Sequence, residues 1–303
     1  MEESATAGAP GSRELLDRLL NLAIDEDVGP GDATTMALFP RPRTARARFT
    51  ARAAGVMAGT EAVRRLFFLL GERFAGDPGA VRLGILKAEG ESFSPGDGLL
   101  DIQGDARIIL MGERISLNLL QRLCAVAALT REFVRRVAGT GAEIYDTRKT
   151  VPGHRLLDKL AVRAGGGRNH RLGLYDMILI KDNHLAAFGG PAGAVRAARE
   201  KSPLPIMVEV DTPGQLEEAL RAEPDYILLD NMAPPALAEA VAAARRLSAE
   251  LGLRRPQLEA SGGIGLETAA AAAASGVDRI SVGSLTHAPG SVDIGLDFEP
   301  GTA

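Results

Sequence analysis

Six short aliphatic runs between residues 142 and 282, separated by alanine-rich stretches, constrain this chain more than any other feature. The runs are Ala142–Tyr145, Met177–Ile180, Ile206–Val210, Tyr226–Leu229, Gln257–Ala260 and Arg279–Val282. Between them, Pro191–Lys201, Pro213–Ala222, Pro234–Leu251 and Leu266–Ser275 have helical periodicity. Most of these begin with proline at a first-turn position, where its missing N–H costs nothing. Strands in regular alternation with helices predict a parallel sheet covered by helices. Six units fall short of the eight in a complete TIM barrel. An incomplete α/β barrel and a doubly wound sheet both fit this periodicity.

Each run closes on polar residues. In chain order these are Asp146-Thr147-Arg148-Lys149-Thr150, Lys181-Asp182-Asn183-His184, Glu209 with Asp211, Asp230-Asn231, Ser261-Gly262-Gly263 and Gly283-Ser284. Parallel α/β folds bind ligands at the carboxyl ends of their strands, so these groups are expected to converge on one mouth. Residues 146–184 hold eight Lys and Arg against four Asp, in a chain whose net charge is −4. A local cationic excess at strand ends reads as an anion site. Arg supplies a planar fork for carboxylate or phosphate, and Lys a point charge. Arg155 and Arg168 fit surface positions equally well.

Glu209 and Asp230 end neighbouring strands. Two carboxylates beside a phosphate site suggest Mg²⁺, which takes one or two carboxylates plus substrate oxygens; salt bridges to Lys149 and Lys181 are the other reading, and both can hold. Ser261-Gly262-Gly263 precedes a helix, where glycines let backbone N–H groups approach an anion closely. His170 follows the glycine triplet Gly165–Gly167, and His184 suits a loop cap or brace. No histidine pair has transition-metal spacing. No nucleophile elbow appears either.

The first hundred residues have another rhythm. A helix is expected from Ser12 to about Asp25, then a turn through Pro30, Asp32 and Thr35. Residues 44–58 read as a half-buried strand and Gly59–Gly71 as a helix. Strand-like runs broken by glycine fill residues 81–110, and a long helix runs from about Glu113 to Val137 with Cys124 on its apolar face. One cysteine excludes an internal disulfide framework, and a reducing cytoplasm is the expected location. No stretch is long and apolar enough for a membrane span. Nucleic-acid partners are not expected, because the chain lacks tryptophan, has 4% aromatic residues and carries no global positive charge.

The motifs DTRKT (146–150), AVRAGGGRNHRLGLYDMILIKDNH (161–184), LLDN (228–231), EASGGI (259–264) and VGSLTH (282–287) resemble the quinolinate phosphoribosyltransferase family. EDVGPGDATT (26–35) and ERISLNLLQR (113–122) extend the likeness over residues 13–298. The resemblance implies an N-terminal α/β sandwich domain followed by an incomplete, open α/β barrel. The boundaries expected are a disordered tail at 1–12, a sandwich domain at 13–112 and a connecting helix at 113–140. The barrel would follow at 141–290, with a segment at 291–303 returning to the N-terminal domain. The implied reaction joins quinolinate to phosphoribosyl pyrophosphate and releases carbon dioxide and pyrophosphate, giving nicotinate mononucleotide for NAD synthesis. The resemblance further implies that Arg148, His170, Arg171 and Lys181 contact the quinolinate carboxylates. Arg114 would reach in from the neighbouring subunit of a homodimer or larger assembly. Lys149, Glu209 and Asp230 would be catalytic and hold the phosphoribosyl pyrophosphate with its Mg²⁺. Thr147 would join the substrate contacts, and Ser261, Gly262, Gly263, Val282, Gly283 and Ser284 would bind phosphate. A related transferase for another aromatic acid, or a non-catalytic anion-binding barrel, is the alternative.

Overall fold

Polar and apolar residues alternate along Thr44–Ala51, and the backbone there is a strand with Ala45, Ala47, Phe49 and Ala51 turned inward. The computed structural model describes residues 12–299, so residues 1–11 of the expected tail and the last four residues lie outside it. The chain runs through α1 (Ser12–Asp27), α2 (Ala33–Leu38), β1 (Thr44–Ala51), β2 (Gly55–Val56), α3 (Thr60–Ala75), β3 (Val81–Ile85), β4 (Ser92–Phe93), β5 (Gly98–Asp105) and α4 (Ala106–Arg136). The strand–helix series follows as β6 (Glu143–Tyr145), α5 (Arg155–Ala164), β7 (Ile178–Ile180), α6 (Asp182–Phe188), α7 (Pro191–Lys201), β8 (Ile206–Val210) and α8 (Pro213–Arg221). It continues through β9 (Tyr226–Asp230), α9 (Pro234–Leu251), β10 (Gln257–Ser261), α10 (Leu266–Ala274), β11 (Arg279–Ser281) and α11 (Ser284–His287), and β12 (Ile294–Phe298) comes last.

Among the described residues, 12–129, 150–166 and 288–299 form one unit, and 130–149 with 167–287 form a second. The first unit holds an antiparallel sheet in the order β12-β1-β5-β3. The last strand pairs with the first, Ala47 opposite Phe298, and the Gln121 side chain donates to the Ile294 carbonyl at 2.9 Å. The turn expected around Asp32 continues into a short helix, because the Asp32 carboxylate accepts the N–H groups of Thr34 and Thr35 and so caps α2. The long helix α4 begins at Ala106 rather than near Glu113. Its first turn, Ile108–Met111, is apolar enough to read as strand, but Asp105 caps it by accepting the Arg107 N–H at 3.0 Å. The Asp158 carboxylate, fully buried on α5, is paired with Arg122 of α4 at 3.0 Å.

Cys124 is buried on α4, and burial pushes its thiol up to about 12. At pH 8 the native protein then holds about one thiolate in ten thousand, against about one in four when unfolded. Alkylation with a thiol reagent is expected to be about a thousandfold slower or more in native protein than in urea. Comparable rates in both states would show that this helix opens readily.

In the second unit the six strands are parallel, in the order β6-β11-β10-β9-β8-β7. Strands β7 to β11 lie side by side in chain order and β6 continues the series beyond β11. That is the ring order of a barrel, left open between β6 and β7; a doubly wound sheet would reverse at a switch point. Helices α7 to α10 pack each on the next. Strand β8 is buried along its whole length, as expected of a parallel strand covered on both faces. No described helix is long and apolar enough to cross a membrane.

Candidate functional site

All strands of the second unit end at one rim, and a cavity of about 580 Å³ opens there. Its lining takes Thr147, Arg148 and Lys149 from the loop after β6, His170 and Arg171 from the segment before β7, and Lys181 from the end of β7. Asp230 comes from β9, Ser261 from the end of β10 with Gly262 and Gly263 just past it, and Gly283 and Ser284 from the turn into α11. Asp211 does not line it: it is exposed, and its N–H is taken by the Gln215 side chain at 2.8 Å in the cap of α8. Arg168 is a surface residue paired with Glu143 at 3.0 Å, and Arg155 bonds Thr150 in the first unit. Arg114 is exposed on α4, also in the first unit.

Local bonds hold the loop after β6. Thr147 Oγ1 accepts the Lys149 N–H at 3.1 Å, and Thr286 Oγ1 donates to the Lys149 carbonyl at 2.8 Å. Arg148 Nε is buried with no hydrogen-bond partner. Arg171 stands near it. Burial and then the Arg148 charge push the Arg171 guanidinium below its ordinary pKa, and Asp176 offsets this only in part. Buried donors are almost always satisfied, so a partnerless guanidinium nitrogen beside a second guanidinium marks a place for an anion.

The segment carrying Arg171 is fastened at several points. The buried Asp146 accepts the His170 N–H at 2.8 Å, and Asp176 accepts the N–H groups of Leu172 and Gly173. Both ring nitrogens of His170 are turned to protein groups. Nδ1 accepts the Arg171 N–H at 2.7 Å, and Nε2 lies 3.4 Å from Glu259 Oε1. His184 braces the next loop by accepting the Lys181 N–H at 3.0 Å.

The carboxylates differ from one another. Glu209, buried at the end of β8, is 2.8 Å from Lys181 Nζ, which is the salt-bridge reading of the sequence. An ammonium has three donors, so this pair leaves Lys181 two for a ligand. Asp230 accepts the Asn231 side-chain amide at 2.6 Å and borders the cavity. No group of three or more acidic, His or Cys side chains that could hold a metal occurs among the described residues. Of Glu209 and Asp230, Asp230 borders the cavity, and one or two carboxylates beside substrate phosphate oxygens are the donor set Mg²⁺ takes.

Gly262 has φ +88°, and a Cβ there would run into the Asn231 amide. Only glycine lets β10 pass so close to the end of β9. Val282, expected among the phosphate binders, is different: it is fully buried and its N–H is spent on the Tyr145 carbonyl at 2.9 Å, extending the β11–β6 pairing. Sequence reading also passed over Glu259 and Arg279. They are register partners on β10 and β11, 0% and 4% exposed, with Arg279 Nε 2.9 Å from Glu259 Oε2. Burial opposes the Glu259 charge, yet His170, Arg279 and Ser281 hold its pKa below the usual range. Two charged residues inside neighbouring aliphatic runs were the available signal. His287, read only as a loop residue, also borders the cavity.

The models of the quinolinate phosphoribosyl transferase C-terminal and N-terminal domains match residues 126–297 and 32–124. A probable carboxylating nicotinate-nucleotide pyrophosphorylase of Bacillus subtilis (strain 168) is 41% identical over 93% of this chain and 93% of its own length. A carboxylating nicotinate-nucleotide pyrophosphorylase of Mycobacterium leprae (strain TN) is 44% identical over 91% and 94%. The solved nicotinate-nucleotide pyrophosphorylase of Francisella tularensis superposes with a TM-score of 0.86 at 30% identity, covering 98% of this chain and all of that one.

Proposed function

The chain belongs to the quinolinate phosphoribosyl transferase family, matched in both of its domains, and on that premise we propose how its residues carry the family's reaction. It is a carboxylating nicotinate-nucleotide pyrophosphorylase of NAD biosynthesis, transferring phosphoribosyl from phosphoribosyl pyrophosphate to quinolinate. The observation that carries the site assignment is Arg148, whose buried Nε has no hydrogen-bond partner, crowded against the Arg171 guanidinium. A dianionic pyridine relieves their repulsion and supplies the missing acceptor. The two remaining Lys181 donors take a carboxylate oxygen as well.

Holding both carboxylates aims the ring nitrogen at the anomeric carbon of the sugar. Fixing two reactants in this way lowers a barrier by about 7–11 kcal/mol. Lys149, whose side chain passes beside Gly283, is assigned to the phosphate side with Ser261, Gly262, Gly263, Gly283 and Ser284. There its charge stabilises the pyrophosphate as the C–O bond to the ribose breaks. Asp230 would hold Mg²⁺ together with phosphate oxygens of the donor substrate, and the ion would supply charge neutralisation for the leaving diphosphate. Glu209 acts by setting Lys181. When the nitrogen–carbon bond has formed, the ring nitrogen is cationic. The adjacent C–CO₂ bond then breaks, its electron pair is stabilised by that cation, and a proton from water replaces the carbon dioxide lost.

Arg114, exposed on α4, is proposed to complete the acceptor site of a partner subunit in a homodimer. A reducing cytoplasm suits the single buried thiol. The test is a product assay on size-fractionated protein. Nicotinate mononucleotide and pyrophosphate are expected from quinolinate, phosphoribosyl pyrophosphate and Mg²⁺, in the dimer fraction. Equal pyrophosphate release with nicotinate as acceptor would overturn the acceptor assignment, and full activity in a monomer fraction would overturn the shared site.

A further inference from the structure

A fully buried carboxylate in the middle of a strand is costly unless its charge is used. Glu259 on β10 is such a group, and it borders the cavity. The Arg279 guanidinium is held between the rings of Tyr145 and Tyr226, 3.8 and 4.5 Å from their centroids. Clamped there, Arg279 fixes Glu259 Oε2 at 2.9 Å. The other oxygen faces His170 Nε2 at 3.4 Å. Across the same ring, Nδ1 accepts the Arg171 backbone N–H at 2.7 Å. An accepting Nδ1 carries no proton, so the ring proton sits on Nε2, toward Glu259.

Resting on the reading of this cavity as the quinolinate site, we infer that Glu259 is a positioning residue for the acceptor. Its carboxylate selects the Nε2–H form of His170, which leaves Nδ1 to hold the Arg171 backbone and so to aim the Arg171 guanidinium. Asp146 and Asp176 fasten the neighbouring N–H groups independently, so the segment keeps its path without Glu259. Glu259 adds the orientation of the ring. His170 thereby acts through Arg171, with Nδ1 committed to the Arg171 backbone and Nε2 within ion-pair distance of Glu259.

The test compares Glu259→Gln with the double variant Glu259→Gln/Arg279→Met, in which neither charge of the buried pair is left alone. Each is expected to raise the quinolinate KM about tenfold or more, while kcat and the KM for phosphoribosyl pyrophosphate stay within about twofold. Nitrogen NMR of a chain with four histidines is expected to show His170 protonated on Nε2 in the wild type and in mixed forms in both variants. An unchanged quinolinate KM in the folded variants overturns the inference, as does a proton on Nδ1 in the wild type. A loss shared equally by both substrates also overturns it, because it marks general damage. If wild-type protein makes no nicotinate mononucleotide, the acceptor reading itself fails, and the tautomer measurement still decides the role of Glu259.

Discussion

Arg148→Ala is expected to lower kcat/KM for quinolinate by about 30- to 4,000-fold, with the affinity for phosphoribosyl pyrophosphate changed by less than about threefold. Truncating one partner of a desolvated, hydrogen-bonded charge pair costs about 2–5 kcal/mol, which converts to that range. The asymmetry between substrates follows from placement. Arg148, on the loop after β6, lies near Arg171 of the segment before β7, while Gly262 and Gly263 after β10 and Gly283 before α11 are the residues proposed to serve the diphosphate. A second expectation separates this variant from a structural lesion. Arg148 Nε has no hydrogen-bond partner and its charge destabilises the Arg171 guanidinium. Its removal should therefore leave Tm unchanged or slightly raised, as when a strained binding group is deleted. Calorimetric titration with each ligand and a thermal melt make the check. Equal weakening of both ligands, or a large drop in Tm, would place Arg148 in the framework of the fold instead.

Asp230→Asn is expected to cost about 10²–10³-fold in kcat, the magnitude for losing one group aimed at developing charge. The quinolinate KM should stay within a few fold. Asparagine keeps the shape of the side chain, and the geometry at the end of β9 depends on shape: Asn231 at φ +53° packs its amide against Gly262 and Asp230. The variant thus removes charge with little disturbance of the loop. Because the carboxylate is assigned to the Mg²⁺-bearing donor, half-maximal activity should also need several-fold more Mg²⁺. Full turnover at the wild-type Mg²⁺ requirement would remove Asp230 from the reaction and leave Lys149 and the backbone donors to hold the diphosphate.

The rim was legible in the sequence because parallel strands all point one way. Once the aliphatic runs were placed, Arg148, Lys181, Asp230 and Gly262 had to meet at one end, whatever the details of packing. The same logic misled at Asp211, and the resemblance did so at Val282. Asp211 stands two residues past Glu209, far enough for its N–H to enter the cap of α8. Val282 still belongs to the sheet through the Tyr145 carbonyl. One or two residues decide between ladder and loop, and periodicity does not resolve them. The early start of α4 escaped for a related reason. An apolar first turn reads as strand until its cap, Asp105, is seen.

Periodicity and strand-end chemistry by themselves determined the alternation of strands and helices, the common mouth and its positive charge, since these depend on the local spacing of residue types. Which charges cancel, and which remain for a ligand, was decided only when the sheet closed its register. Glu259 meets Arg279 because β10 and β11 pair there, and Lys181 reaches Glu209 because β7 lies beside β8. Electrostatic energy depends on distances of a few ångströms between residues far apart in the chain, and those distances exist only in the folded sheet.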